Sequence, residues 1–209
     1  MVKTEITITC EDCMDLMRAC DDDFYDLAVT DPPYGIMNKT KRGTSLVTTN
    51  PTYKKWDVKP TSDYFEELFR VSKNQIIWGG NYFGELWTRQ EWNRCFLIWD
   101  KMQAININSF SMAELAWTSL DKPSKIFRFA MCRNHKTHPT QKPVELYAWI
   151  YRLFARAGDH ILDTHLGSGT SAVAAHQAGL EFTGCEINRT YYKAALKRLE
   201  KAQAQQKLV

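Results

Sequence analysis

The chain has 209 residues, 44% hydrophobic and 24% charged, which is ordinary globular composition near the size of one domain. No apolar run approaches the about 18 residues of a membrane span, and the first residues lack an apolar signal core, so a soluble cytoplasmic protein with no membrane partner is expected. The net charge of +3 is unevenly spread: residues 1–36 are acid-rich with Lys3 and Arg18 as their bases, whereas residues 37–60 and 122–142 are strongly basic.

Short apolar runs alternating with helical patterns predict a doubly wound, mostly parallel α/β sheet. The first strand, Ile6–Thr9, leads into Cys10-Glu11-Asp12-Cys13. Cys10-x-x-Cys13 and Cys132-x-x-His135 together supply four ligand types for zinc, but they lie far apart and lack a surrounding Gly or Pro knuckle. Reduced, buried thiols and no metal are expected.

The second strand, Leu27–Thr30, delivers Asp31-Pro32-Pro33-Tyr34 to its carboxyl end, where ligands bind in open α/β sheets. Two prolines stiffen that turn, and Pro33 offers no N–H, so the Asp31 carboxylate and the Pro32 carbonyl are two fixed acceptors. Such a pair suits attack by an aromatic amine, whose delocalised lone pair is freed when its hydrogens are gripped. Tyr34 is either a stacking face for an extruded base or a core residue.

Residues 37–60 combine Lys39, Lys41, Arg42, Lys54, Lys55 and Lys59 with Thr, Ser, Gly43 and two prolines, which describes a mobile basic loop. With 122–142, which carries Arg133 and Lys136, it forms either a polyanion-binding surface or two solvated loops. Trp56 and Tyr53 within it suit loop packing or wedging into a duplex.

The strand Gln75–Trp78 ends on Gly79-Gly80-Asn81-Tyr82, with Asn81 a candidate contact at the same edge. Strands at Cys95–Trp99 and Leu115–Thr118 follow, and Trp78, Trp99 and Trp117 are expected in the core. A helix is predicted from Pro143 to Ala157, stopped by Gly158.

The strand His160–Asp163 opens the run Asp163-Thr164-His165-Leu166-Gly167-Ser168-Gly169-Thr170 into a helix over Ser171–Gln177, closed by Gly179. Glycines there admit close approach to a ligand, and the helix start presents free N–H groups. Glu186 follows the last strand, Glu181–Cys185, where a carboxylate would take the two hydroxyls of a ribose. A nucleoside site is expected. The third glycine of the dinucleotide fingerprint is missing, which weakens a nicotinamide oxidoreductase reading. A polar-faced helix begins near Arg189 and frays from about Ala202.

Together these motifs resemble the amino-methyltransferases of DNA, S-adenosylmethionine-dependent enzymes that methylate adenine N6 or cytosine N4. Their Asp-Pro-Pro-Tyr loop is catalytic and their Gly-x-Gly turn binds the cofactor. With the catalytic motif first and His138-Pro-Thr140-Gln-Lys142-Pro143 just before the cofactor strand, the circularly permuted order is similar to that of the β group. The resemblance implies one Rossmann-like methyltransferase domain over 1–209, built on a seven-stranded sheet. It implies Asp31, Pro32, Pro33 and Tyr34 as the catalytic set. It further implies S-adenosylmethionine bound by Asp163, His165, Gly167, Ser168, Gly169, Thr170, Glu186 and Ile187, with Asp12, His138, Thr140 and Lys142 lining the pocket.

Two departures stand out. His165 occupies the place of the family's aromatic floor, and only 121–137 is available for a target-recognition segment. A very short or weakly specific target in duplex DNA follows, with Lys39, Lys41, Arg42, Lys54, Lys55, Arg133 and Lys136 on phosphates. Adenine N6 is the expected target. Cytosine N4 methylation and a catalytically silent nucleic-acid binder of the same fold are the alternatives, and a monomer or a homodimer both fit.

Overall fold

In a computed structural model of the protein, residues 4–36, 57–88, 94–102, 111–130 and 141–206 are described. In chain order they form β1 (Ile6–Thr9), α1 (Cys13–Arg18), β2 (Leu27–Thr30), α2 (Ser62–Val71), β3 (Gln75–Trp78), a 3-10 turn (Gly80–Tyr82), α3 (Gly84–Trp87), β4 (Phe96–Asp100) and β5 (Ala113–Thr118). Then follow β6 (Lys125–Arg128), α4 (Val144–Phe154), β7 (His160–Asp163), α5 (Thr170–Ala178), β8 (Glu181–Cys185) and α6 (Arg189–Gln206).

The strands form one sheet in the order β1-β8-β7-β2-β3-β5-β4-β6. Every neighbouring pair is parallel except those made by β5, which runs antiparallel between β3 and β4. Among the described residues the sheet thus has eight strands, where seven were expected. The added strand, β6, falls inside segment 121–137 and pairs with β4 from Leu97↔Lys125 to Asp100↔Arg128. It escaped the sequence pattern because an edge strand needs no buried apolar run: Lys125, Ile126 and Arg128 are exposed.

Successive side chains of a strand point to opposite faces, and the core divides accordingly. Leu27, Val29, Ile76, Trp78, Ile161 and Ala116 pack on one face with Leu146, Tyr147, Ile150 and Tyr151 of α4 and the apolar side chains of α5. Ala28, Ile77, Leu162 and Trp117 pack on the other with Tyr64, Phe65, Leu68 and Val71 of α2 and Met17 of α1. Helices therefore cover both faces, and β2 and β3, at the centre, are buried along their whole length. Trp78, Trp99 and Trp117 are core residues, as their strand positions predict.

Helix boundaries shift by local chemistry. Pro143 is the N-cap of α4 rather than its first residue, and α4 ends at Phe154. Beyond it Asp159 accepts from the Arg156 N–H and donates its own N–H back to the Arg156 carbonyl, a tight turn that takes up Gly158. Helix α5 starts one residue earlier than expected, at Thr170, and α6 runs to Gln206. Residues 57–60, expected in the mobile loop, are anchored: buried Asp57 accepts from the Gly35 N–H at 2.9 Å, and Lys59 pairs with Glu85 at 3.1 Å. Among the described residues no helix is long and apolar enough to cross a membrane.

Candidate functional site

Because β1, β8, β7, β2 and β3 are parallel neighbours, their carboxyl ends lie along a single edge. That edge carries Asp12 after β1, Glu186 after β8, the 163–170 turn after β7, Asp31 after β2 and Gly79 after β3. A cavity of about 560 Å³ opens there, a volume typical of a small-molecule site. Asp12, Asp31, Pro33, Lys142, Gly167 and Glu186 are among the residues in its wall.

At the Asp31 end, both oxygens of its carboxylate are engaged. The Tyr34 hydroxyl donates to Oδ1 at 2.6 Å, and the Lys142 ammonium donates to Oδ2. The same ammonium lies 3.1 Å from Glu114 Oε2, and Lys101 pairs with Glu114 Oε1 at 2.7 Å. The ammonium also sits 5.3 Å above the centre of the Trp78 ring. Burial works against the charge on Lys142, whose side chain is 3% exposed, but the facing carboxylates of Asp31 and Glu114 overcome it and hold its pKa above the usual lysine range. Burial also raises Glu114, yet the Lys142 and Lys101 charges prevail and bring it down to about 2.

The Tyr34 ring is stacked against Tyr82, with centroids 5.0 Å apart and planes 19° from parallel. The backbone beside it has no room for a side chain: a Cβ on Gly79 would lie 2.1 Å from Tyr34 Cε1, at a φ of +69°. Burial, with the Asp31 and Glu114 charges, keeps the Tyr34 phenol well above its usual pKa, so it stays a hydrogen-bond donor.

At the other end, Asp163 lies beneath the glycine turn. It accepts from the His165 N–H at 3.0 Å and from the Ser171 hydroxyl, and burial pushes its carboxyl up to about 7. Glu186 accepts from the Gly167 N–H at 2.9 Å and the Asn188 N–H at 2.8 Å, which leaves further lone pairs on both oxygens for a ligand. Gly169, at a φ of +72°, is pressed on α6: a Cβ there would lie 2.8 Å from the Ala195 Cβ. From the same helix Arg198 donates to the Ser168 carbonyl at 3.2 Å and to the Thr170 hydroxyl at 2.7 Å.

The two ends are joined below the cavity by a buried hydroxyl cluster. Thr30, the residue before Asp31, lies 2.7 Å from the Thr164 hydroxyl, and Tyr64 OH lies 2.7 Å from the same oxygen. The ring of His165 meets that cluster through Nδ1, 3.0 Å from Thr164 Oγ1, and its edge packs on Tyr64. Burial lowers the His165 pKa to about 4, so the imidazole is neutral.

The structure brings most of the sequence-predicted residues together and separates a few. Asp12, Lys142, His165, Gly167, Ser168, Thr170, Glu186 and Ile187 line the cavity with Asp31 and Pro33. Asp12 also caps α1, accepting from the Met14 N–H at 2.8 Å. Asp163 and Gly169 shape the turn from beneath rather than lining the cavity, and Tyr34 acts on its wall through Asp31. Pro32 is buried between Asp31 and Pro33 of the cavity wall. Lys142 is ion-paired to Asp31 of the 31–34 loop as well as lining the expected cofactor end. Lys39, Lys41, Arg42, Tyr53, Lys54, Lys55, Trp56, Cys132, Arg133, His135, Lys136, His138 and Thr140 lie outside the described residues.

Sequence reasoning missed Glu114, Lys101 and Arg198, whereas Tyr82, placed at this edge by its sequence position, stacks on Tyr34 there. Glu114 stands at the beginning of a strand, where a search of strand ends does not look, and only the reversed direction of β5 brings it to the edge that carries the cavity.

Comparison with known proteins adds an independent line. The chain is 46% identical over 63 residues to the type II methyltransferase M2.DpnII of Streptococcus pneumoniae, a match covering 30% of this chain and 24% of that protein. It is 24% identical over 238 residues to the type II methyltransferase M.HpaI of Haemophilus parainfluenzae, covering 92% of this chain and 74% of that one. The fold is shared with the M1.HpyAVI–SAM complex at a TM-score of 0.62 and 20% identity, over 93% of this chain and 100% of that chain. Residues 79–197, more than half of the chain, match the DNA methylase family of N6 and N4 enzymes, and the chain belongs to that family.

Proposed function

We propose that the chain transfers a methyl group from S-adenosylmethionine to the exocyclic N6 amine of adenine in DNA. The observation that carries this reading is Asp31: a carboxylate fixed by Tyr34 and Lys142 in the wall of a nucleoside-sized cavity, one strand from the glycine turn.

The cavity's chemistry fits S-adenosylmethionine. Glu186 keeps lone pairs for the ribose hydroxyls, Gly167 allows close backbone approach, and Val58, Leu166 and Ile187 give the purine apolar walls. Glu11 and Asp12 offer carboxylates to the amino group at the methionine end. When bound, the cofactor supplies an electrophilic methyl carbon. The chain's own residues prepare the nucleophile. Asp31 and the Pro32 carbonyl accept hydrogen bonds from the two amine hydrogens, which draws the nitrogen toward a tetrahedral form with its lone pair free, and Asp31 is the sink for the proton that the nitrogen sheds on methylation. Lys142 and Tyr34 hold Asp31 so that no reorientation is needed as the transition state forms.

The target base leaves the duplex to reach Asp31, because N6 is paired inside the stack. Tyr82, 40% exposed and stacked on Tyr34, extends an aromatic platform for it from the catalytic loop outward. Sequence preference is short or weak: β6 takes up 125–128 as part of the sheet, leaving little of segment 121–137 to reach base edges.

The test is transfer of labelled methyl to unmethylated duplex DNA, followed by nucleoside analysis, with Asp31→Ala as control. N6-methyladenine that disappears in the variant is the expected result. N4-methylcytosine would move the target to cytosine, and no transfer to DNA would overturn the reading.

A further inference from the structure

We infer that Glu114 is a positioning residue for methyl transfer: by sharing the Lys142 ammonium with Asp31, it keeps that cation fixed against the catalytic carboxylate. The inference rests on the reading of Asp31 as the acceptor for the target amine.

Four charged side chains from four places in the chain alternate in sign across the active edge. Lys101, after β4, meets one oxygen of Glu114 at the start of β5. The other oxygen meets Lys142, which precedes α4, and Lys142 meets Asp31, after β2. Two carboxylates against two ammonium groups leave the row without net charge, so each faces an opposite partner. An ammonium has three N–H donors. Two of those of Lys142 go to Asp31 and Glu114, and the Trp78 ring closes a third side at 5.3 Å. The position of Nζ is therefore set by three walls, of which Glu114 is the one that is neither catalytic nor apolar.

Without Glu114, the Lys142 ammonium, nearly excluded from water, would face a single carboxylate. It would then be free to follow Asp31 instead of holding it, and Asp31 would be tied to a cation that competes with the incoming amine. Among the described residues, Nζ of Lys142 faces the carboxylates of Asp31 on the catalytic loop and Glu114 on β5; Tyr34 is bonded to Asp31, Lys101 after β4 to Glu114, and Tyr147 on α4 feels both carboxylates. Of these, Glu114 is the sole carboxylate besides Asp31 in direct contact with Nζ. Its removal should thus act on Lys142 first.

The experiment compares wild-type protein with Glu114→Gln and Glu114→Asp by two readouts. The first is the pH titration of Lys142 in the cofactor-free protein, followed by magnetic resonance of lysine labelled at Nζ and assigned by its loss in Lys142→Met. The second is kcat and KM for methyl transfer to duplex DNA. Glu114→Gln is expected to lower the Lys142 titration midpoint by about 1 pH unit or more. It should also lower kcat roughly 10- to 100-fold with KM for S-adenosylmethionine little changed. The alkaline limb of the kcat profile should move down with the lysine. Glu114→Asp, which keeps the charge on a shorter arm, should restore the titration and most of kcat; should Glu114→Gln not fold, Glu114→Met is the neutral variant that carries both readouts, with the same losses expected. An unchanged Lys142 titration, or an unchanged kcat in an active background, would overturn the inference while leaving the proposed reaction standing. Wild-type protein that methylates no DNA would overturn the reaction, and the inference with it.

Discussion

Asp163→Asn tests whether the carboxyl under the glycine turn is as desolvated as its surroundings require. In the folded protein burial raises this group to about 7, from an ordinary 3.8 in the unfolded chain. Between about pH 4 and 7 the folded protein therefore holds a proton that the unfolded chain has released, and stability falls as pH rises through that window. The interval corresponds to at most about 4 kcal/mol, and since buried sites behave as more polarisable than dry protein, about 2 to 4 kcal/mol is expected. Asparagine removes the titration and preserves the contacts: its oxygen still accepts from the His165 N–H, and its amide can donate to the Ser171 hydroxyl. Urea unfolding followed by tryptophan fluorescence across the pH range gives the comparison. The variant should match wild type to within about 0.5 kcal/mol near pH 4 and exceed it by about 2 to 4 kcal/mol near pH 8. A stability difference that stays constant with pH would show that Asp163 is not desolvated as argued.

Other positions make distinct demands. Gly79→Ala forces a left-handed backbone on alanine and drives its Cβ into the Tyr34 ring, so a loss of about 2 to 4 kcal/mol in thermal unfolding and about 100-fold in kcat is expected. Arg198→Met removes charge-assisted hydrogen bonds from Ser168 and Thr170. The KM for S-adenosylmethionine should rise about 10-fold, with kcat at saturation nearly kept, as steady-state kinetics would read. Lys142→Met strands the Asp31 carboxylate in the cavity wall and leaves Glu114 with Lys101 alone, and should cost about 3 to 5 kcal/mol in urea unfolding; adding Glu114→Gln to it should return part of that loss.

Most of the fold was legible because the central strands are short apolar runs that sequence periodicity detects, and both motif loops follow such strands. Leu27–Thr30 and His160–Asp163 are strands with the boundaries their residues predict. What sequence did not reveal shares one physical cause: its signal lies in partners far along the chain. Lys125–Arg128 is a strand because β4 offers an edge to pair with, not because its own residues demand burial. Glu114 looks like an exposed acid in a strand until the direction of β5 is known. Arg198 reads as one more base on a polar helix, and only the packing of Ala195 on Gly169 brings it to the turn. Lys142 could be assigned to the site from its motif, but its partners could not, because charge pairing depends on which strand ends meet.

The permuted order of the motifs has a simple physical reading in the sheet. Strands β2 and β7 are far apart in sequence but pair side by side, with Leu27 opposite Ile161 and Ala28 opposite Leu162. Continuing that register sets Thr30 beside Thr164, as their 2.7 Å hydroxyl contact shows, and so brings Asp31 alongside His165. The distance between Asp31 and the glycine turn is thus set by parallel pairing and register, neither of which depends on which motif the chain reaches first. A cut and rejoin of the chain at a loop away from this edge would leave the cavity unchanged. For the same reason, a substitution that disturbs the Thr30–Thr164–Tyr64 cluster would act on both halves of the site together, raising KM for the cofactor and lowering kcat in one step. Thr164→Val, which keeps the shape and removes the shared hydroxyl, is the variant in which steady-state kinetics should show that coupled loss; a change confined to one of the two parameters would mean that the halves are held independently.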